Sequence, residues 1–173
     1  TSSNPRETVP ADFFRQLMPT LEQLRGPGVQ LHIECPDGLP AMFADPSRIK
    51  LALVELVRNA CEAARSRVTI RVSADKGAEQ PELFPGGGTR GGEWLKIEVT
   101  DDGSGIRTSE ATRIYEPFFS TKKKHHAVGL GLAVALGCAQ QTGGTLQHRS
   151  GKGGTTFEMS LPARATQPLS AVA

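Results

Sequence analysis

What this chain lacks narrows its class before any motif is read. Surplus charge is missing: 20 Lys and Arg against 18 Asp and Glu leave a net +2, so no nucleic-acid partner is expected. Long hydrophobic runs are missing too. Nothing approaches the roughly 20 apolar residues of a membrane span and no signal peptide is visible, so no membrane contact is expected. Cysteine is sparse, and Cys35, Cys61 and Cys138 are far apart, odd in number and free of metal-like spacing. That usage fits buried thiols in a reducing compartment, with a cytoplasmic location as the expectation. Aromatics make up only 5% beside 38% hydrophobic residues, and 173 residues suffice for one soluble α/β domain with its own core. An initiating Met is absent at Thr1, so the chain reads as a piece of a longer protein.

What is present organises into alternating elements. Residues 1–10 read as a flexible start or linker. From Ala11 to Arg25, Phe14, Leu17, Met18, Leu21 and Leu24 recur at helical spacing, with Pro19 expected to kink or divide the element. Val29, Leu31 and Ile33 alternate with polar residues as a strand. Asp45-Pro46 matches a helix cap followed by Pro at the first helical position. Ile49, Leu53, Leu56, Val57, Ala60 and Ala64 then form one apolar stripe on a helix reaching Arg65. Val68, Ile70 and Val72 mark another strand. The stretch 75–92, rich in glycine, reads as a long variable loop. Residues 103–128 carry little pattern beyond a short helix near Ser109 to Ile114. Gly129 to Thr142 is apolar nearly all round, as a buried helix is, and Thr145–Arg149 and Thr155–Leu161 read as a closing hairpin. Residues 163–173 read as a disordered tail.

Chemistry concentrates in a few places. Leu95, Ile97 and Val99 alternate along a half-buried strand, and Asp101 continues their inward parity into Asp101-Asp102-Gly103-Ser104-Gly105-Ile106. A carboxylate on a buried face needs a hydrogen-bond donor, and a ligand amino group is one candidate; the same six residues also suit an ordinary strand-ending turn. Glu55 and Asn59 are four residues apart and share a helix face opposite the apolar stripe. That face is either simply solvated or a site where the Asn59 oxygen binds Mg²⁺ and Glu55 orients a water or takes a proton. Val128-Gly129-Leu130-Gly131-Leu132 opens a helix whose N-terminal N–H groups suit an anion. Close helix–sheet packing explains its glycines equally well. Lys122, Lys123 and Lys124 reach toward phosphate or are merely solvated, and His125 and His126 have no metal-like partners.

Taken in order, Glu55-Leu56-Val57-Arg58-Asn59-Ala60, Asp101-Asp102-Gly103-Ser104-Gly105-Ile106, Glu116-Pro117-Phe118-Phe119-Ser120-Thr121-Lys122, Gly129-Leu130-Gly131-Leu132 and Gly153-Gly154-Thr155-Thr156-Phe157 are not independent. The series resembles the catalytic and ATP-binding domain of sensor histidine kinases, in the GHKL (Bergerat) superfamily. Its N box, first glycine box, F box and second glycine box come in order, and the F-box phrase looks most like the nitrogen-regulation kinases. The resemblance covers roughly Asp12 to Pro162 and implies a domain over 11–162 with a lid at about 106–128. It implies an α/β sandwich, a mixed sheet of about five strands covered on one face by three helices. It also implies roles: Asp101 accepting the adenine amino group, Gly103 and Gly105 shaping the adenine pocket with the Thr156 hydroxyl nearby, Asn59 binding Mg²⁺, and Glu55 standing where a base is proposed. Gly129, Leu130, Gly131 and Leu132 would present the phosphate-binding helix start, with Arg58 or Lys122 adding charge.

The implied cofactors are ATP and Mg²⁺, and the implied partners are an acceptor-histidine dimerisation domain and a response-regulator receiver domain. The fragment would be a monomer and its parent a homodimer. This chain departs from the family in two ways: Ala127 stands where a further Gly is frequent, and no acceptor motif surrounds His32, His125, His126 or His148. The histidine that takes the phosphate is therefore expected elsewhere. Relatives that hydrolyse ATP, such as gyrase and mismatch-repair proteins, fit the F-box phrase less well. A serine kinase of the same superfamily or a non-catalytic nucleotide-binding module are the alternatives.

Overall fold

A computed structural model describes residues 4–75, 93–120 and 130–164. Its elements are β1 (Arg6–Thr8), α1 (Pro10–Glu22), β2 (Gln30–Glu34), β3 (Ala41–Ala44), α2 (Pro46–Ala63), β4 (Arg67–Asp75), β5 (Glu93–Asp101), α3 (Gly131–Gln141), β6 (Thr145–Gly151) and β7 (Gly154–Arg164). The strands form one seven-stranded sheet in the order β1-β3-β7-β5-β4-β2, with β6 also paired to β7. Among the described residues only β2 with β4 is parallel, so the sheet is mixed as expected. It has seven strands among the described residues rather than about five. The additions, β1 and β3, are three and four residues long, too short for alternation to show; β1 has no apolar residue and is held by pairing with β3.

The remaining elements follow from local chemistry. Asp45 caps α2 by accepting from the Ser47 N–H at 3.0 Å, with Pro46 in the first turn. Its stripe of Ile49, Leu53, Leu56 and Val57 is fully buried. Val68, Ile70 and Val72 of β4, Leu95, Ile97 and Val99 of β5, and Phe157, Met159 and Leu161 of β7 meet that stripe as one core. Pro19 lies inside α1 without dividing it. Burial of Phe13, Phe14, Leu17 and Leu21 outweighs the local cost of an interior proline, about 3 kcal/mol.

The opposite sheet face is charged. Glu98 and Glu158 are direct cross-strand neighbours, a repulsive pairing that Arg149 relieves by bridging both at 2.6 and 3.3 Å. At the chain ends the strand pairing reaches further than the sequence pattern. Arg6–Thr8, expected in a flexible start, are β1, and Ala163 and Arg164, expected in the tail, pair with Met42 and Ala41. Most of the expected variable loop, 76–92, lies outside the described residues.

Leu56 is fully buried at the centre of this core. Leu56→Ala should destabilise the domain by about 3 kcal/mol through loss of burial and a residual cavity, read as a lowered urea midpoint with an unchanged slope.

Candidate nucleotide-binding site

Asp101 ends β5 in the middle of the sheet, between Val68 of β4 and Thr155 of β7, and is 2% exposed. Its side chain shares the helix-covered face with Leu95, Ile97 and Val99, as parity predicts. A carboxylate there requires donors. The chain supplies one itself, because the Gly103 N–H donates to Asp101 Oδ1 at 2.8 Å. The turn and the buried acid, alternatives from sequence, thus coexist.

Glycines make this closure possible. A Cβ on Gly103 would stand 2.3 Å from the Ala63 carbonyl oxygen at the end of α2, and one on Gly154 would stand 1.9 Å from the Asp101 carbonyl oxygen. Gly105 has φ +82° and packs against the Gly151 carbonyl. Asp102, to which the sequence pattern assigned nothing, braces the same corner. Its Oδ1 accepts the backbone N–H groups of Arg65, Ser66 and Arg67 at 2.8, 3.0 and 3.1 Å, and Oδ2 accepts the Ser66 hydroxyl at 2.6 Å. The Ser66 hydroxyl and these N–H groups hold its pKa far below the carboxylate range. Only the fold reveals this, since the bonds span 35 to 37 residues.

The face of α2 carrying Glu55 and Asn59 continues to Ala63, at successive steps of four. At one end, Ala63 receives the Gly103 turn. At the other, a Cβ on Gly131 would lie 2.7 Å from Glu55 Oε2, so Glu55 meets the start of α3. The face therefore spans about 12 Å, at 1.5 Å per residue, from the buried acid to the N-terminus of α3. Asn59, half-buried, stands between. Arg58 is committed to Glu55 at 2.7 Å. Leu130 precedes α3 with no side-chain cap, and Leu132 packs on the core. Gly129, Lys122, Ala127, His125 and His126 lie outside the described residues.

Among the described residues no cluster of three or more His, Cys, Asp or Glu is arranged to hold a metal. A side-chain amide oxygen such as that of Asn59 is the kind of ligand that a hard cation keeping its waters accepts.

Two expectations change. Residues 107–119 form successive i to i+3 turns instead of a short helix, with bonds such as Glu110 N–H to the Arg107 carbonyl at 2.9 Å and Glu116 N–H to the Arg113 carbonyl at 2.9 Å. Tyr115 anchors this run: its hydroxyl lies 2.9 Å from His148 Nδ1 and its ring packs edge-on against His148 and Phe157. Phe118, at φ 67° and 74% exposed, projects outward. Second, Thr156 does not share a face with Asp101. It pairs with Thr100 across the strands, hydroxyl to hydroxyl at 2.9 Å, while Thr155 stands beside Asp101 on the same face. Alternation with the inward Phe157, Met159 and Leu161 puts Thr155 on the inner face, and register then sets it opposite Asp101.

Residues 44–165 match the family of histidine kinase-, DNA gyrase B-, and HSP90-like ATPases. The chain belongs to that family. It is 36% identical over 140 residues to the sensor histidine kinase ZraS of Escherichia coli (strain K12), covering 80% of this chain and 27% of that one. It is 35% identical over 125 residues to the sensory histidine kinase/phosphatase NtrB of Rhodobacter capsulatus, covering 72% of this chain and 34% of the relative. The chain thus spans about a quarter to a third of the length of these curated relatives. Among solved structures, full-length ShkA in complex with AMPPNP overlays with a TM-score of 0.74 at 20% identity, over 97% of this chain and 33% of that one. The mycobacterial sensor histidine kinase MprB gives 0.68 at 20%, over 95% of this chain and 100% of its own. The family's fold is the one seen here.

Burial pushes the Tyr115 hydroxyl up to about 12 and the His148 imidazole below its usual 6.5. A neutral His148 in its Nε2–H tautomer accepts the Tyr115 hydroxyl at Nδ1, and protonating Nδ1 would remove that acceptor. A depressed folded-state pKa means full stability above the unfolded value of 6.5, lost as pH falls through the folded value. Urea midpoints should decline as pH drops below about 6.5, and His148→Asn should abolish that slope. The Asp102 window lies lower, below 3.8.

Proposed function

We propose that this chain is the ATP-binding catalytic domain of a two-component sensor histidine kinase, holding Mg-ATP and donating its γ-phosphate to a histidine on a separate dimerisation domain. The observation that carries the reading is the α2 face Glu55–Asn59–Ala63, which joins a buried carboxylate at one end to the start of α3 at the other. A carboxylate on an apolar floor accepts from an exocyclic amino group, so the adenine sits at Asp101, between the Gly103 turn and Thr155. The phosphates extend along α2 to the N-terminus of α3, where Leu130, Gly131 and Leu132 begin the helix and backbone N–H groups favour anions. By the family motif Gly129 and Lys122, outside the described residues, would serve the phosphates.

Mg²⁺, when bound, neutralises charge on the β- and γ-phosphates. Asn59 would hold it through its side-chain oxygen. Glu55, kept in place by Arg58, faces the same end and would orient or deprotonate the attacking group. Catalysis of this kind is positioning and electrostatics, so a domain that holds the nucleotide still needs its acceptor delivered. His32 is exposed on an edge strand and His148 is engaged with Tyr115; neither is placed as the acceptor. The partners are thus the acceptor domain of the parent, acting as a dimer, and a response regulator receiver domain. The setting is the cytoplasm, which supplies ATP; among the described residues no helix is long and apolar enough to cross a membrane.

Asp101→Asn should weaken ATP about 50-fold, the loss expected when a charged, buried acceptor is replaced, measured by calorimetry. Unchanged affinity would refute the adenine assignment. Asn59→Ala should leave metal-free nucleotide binding intact and remove the gain on adding Mg²⁺. Incubated with labelled ATP, Mg²⁺ and the parent's dimeric acceptor region, the chain should yield an acid-labile phosphoprotein. An acid-stable product would instead identify a serine kinase.

A further inference from the structure

The run 107–119 follows the Gly105 turn, and two side chains of β6 tie it and the residue before it to the sheet. The Ile106 N–H donates to Ser150 Oγ at 2.6 Å, and the Tyr115 hydroxyl lies 2.9 Å from His148 Nδ1. Residues 148 and 150 are two apart on one strand, so both serve the same face. The Tyr115 ring stands edge-on to His148 and Phe157, with centroids 5.6 and 6.4 Å away, and the imidazole lies 5.8 Å from Phe157. The nucleotide reading gives this cluster no role.

At its far end the run is strained. Phe118 has φ 67°, a conformation that a residue other than glycine holds only when its surroundings impose it. Its own side chain, 74% exposed, imposes little. The restraint comes from its neighbours: the Phe119 N–H bonds the Glu116 carbonyl at 3.2 Å, the Arg113 guanidinium stacks 4.5 Å from the Phe119 ring, and Tyr115 is fastened to His148. Loss of the Tyr115 anchor lets the run relax, so it has an anchored state and a released one.

His148 makes the anchor sensitive to protons. The charged side chains on the elements around it are Arg107, Glu110, Arg113 and Glu116 on the run, Arg149 on β6, Lys152 in the hairpin, and Glu158 and Arg164 on β7; α3 contributes only the Cys138 thiol. Arg113 and Glu116 pair with each other, Arg149 is turned to Glu98 and Glu158 on the opposite sheet face, and Arg164 pairs with Glu7. None compensates an imidazolium, for burial is the single cause of the lowered His148 pKa. A proton there puts a cation without a carboxylate partner into a half-buried site. That charge, and not the direction of the bond to Tyr115, opposes the anchored state.

We propose that Tyr115 and His148 are positioning residues that form a proton-sensitive anchor: nucleotide binding draws on the anchored run, and a proton on His148 releases it, so the two compete. This rests on the nucleotide reading of Asp101 and adds a control on that same site. The route is short. The run begins at the turn whose Gly103 N–H holds the Asp101 carboxylate at 2.8 Å, and Ser150 is the cross-strand partner of Thr155, which stands beside that acid. Releasing the run loosens the turn that fixes the acid. A ligand that needs the acid fixed binds the anchored state better, and only such a difference couples the two events. With the folded pKa lowered, the anchor is complete above 6.5 and is lost as pH falls through the folded value.

The test is an NMR titration of the His148 ring in the full chain, with and without saturating ADP, its signal assigned through the backbone. Bound ADP should lower the His148 pKa. A phosphate acting directly through space would raise it, so a raised or unmoved pKa overturns the proposal. By reciprocity, wild type should lose about fivefold more ADP affinity than His148→Asn on going from about pH 7.5 to about pH 5, at the low end of couplings between sites. The comparison cancels the nucleotide's own protonation, and equal losses overturn the proposal. Hydrogen exchange follows the anchor itself: corrected for intrinsic rate, the amides of Glu110, Arg113, Glu116 and Phe119 should lose protection as pH falls in wild type, regain it with ADP, and stay level in His148→Asn. Protection independent of pH in wild type overturns the release step. Failure of wild type to bind ADP at all removes the pocket reading as well, a result distinct from binding that leaves His148 unmoved.

Discussion

A carboxylate held on the apolar side of a sheet is the constraint around which this domain is arranged. Left bare, the charge of Asp101 would cost several kcal/mol, and the neighbouring chain is built to approach it closely enough to bond it. Gly103 turns back to give it an N–H, and Gly154 lets β7 begin directly against its carbonyl oxygen. Any side chain at either glycine would stand inside contact distance of backbone. The next residue secures the corner: Asp102 gathers three successive N–H groups at the start of β4, tying the end of α2 to the end of β5. One acid is buried against the core and its neighbour braces the scaffold, though the two are adjacent and chemically alike.

The second organising element is α2, which serves the core and the site at once. Its stripe from Ile49 to Cys61 fills the interior, and that burial, rather than helix propensity, holds the polar face rigid. Glu55, Asn59 and Ala63 are therefore presented at fixed steps, touching the start of α3 at one end and the Gly103 turn at the other. Asn59, a weak helix former, is carried in mid-helix by packing on the opposite side. Across the sheet from the helices, Arg149 and Lys96 neutralise the Glu98 and Glu158 pair, so the outer face is stabilised by charge and the inner by burial.

Much of this was legible in the chain. The period of α2, its Asp-Pro start and the alternation through Leu95, Ile97 and Val99 predicted the elements that bury most of the core, and the same alternation placed Asp101 inward. The ordered boxes pointed to the family. The short strands β1 and β3 were not legible, because three or four residues cannot display a period and their pairing partners are supplied from Met42, Ala44 and β7. Nor was the turn run through Tyr115, which depends on a histidine 33 residues away.

The sequence by itself determined the periodic elements, the inward parity of Asp101 and the family of the domain, because those depend on residues near in the chain or on their order. The tertiary structure alone decided that Thr155 is the cross-strand partner of Asp101, that Asp102 is a brace, and that Ser150 and His148 reach the segment after Gly105. These are questions of strand register and of contacts between distant segments.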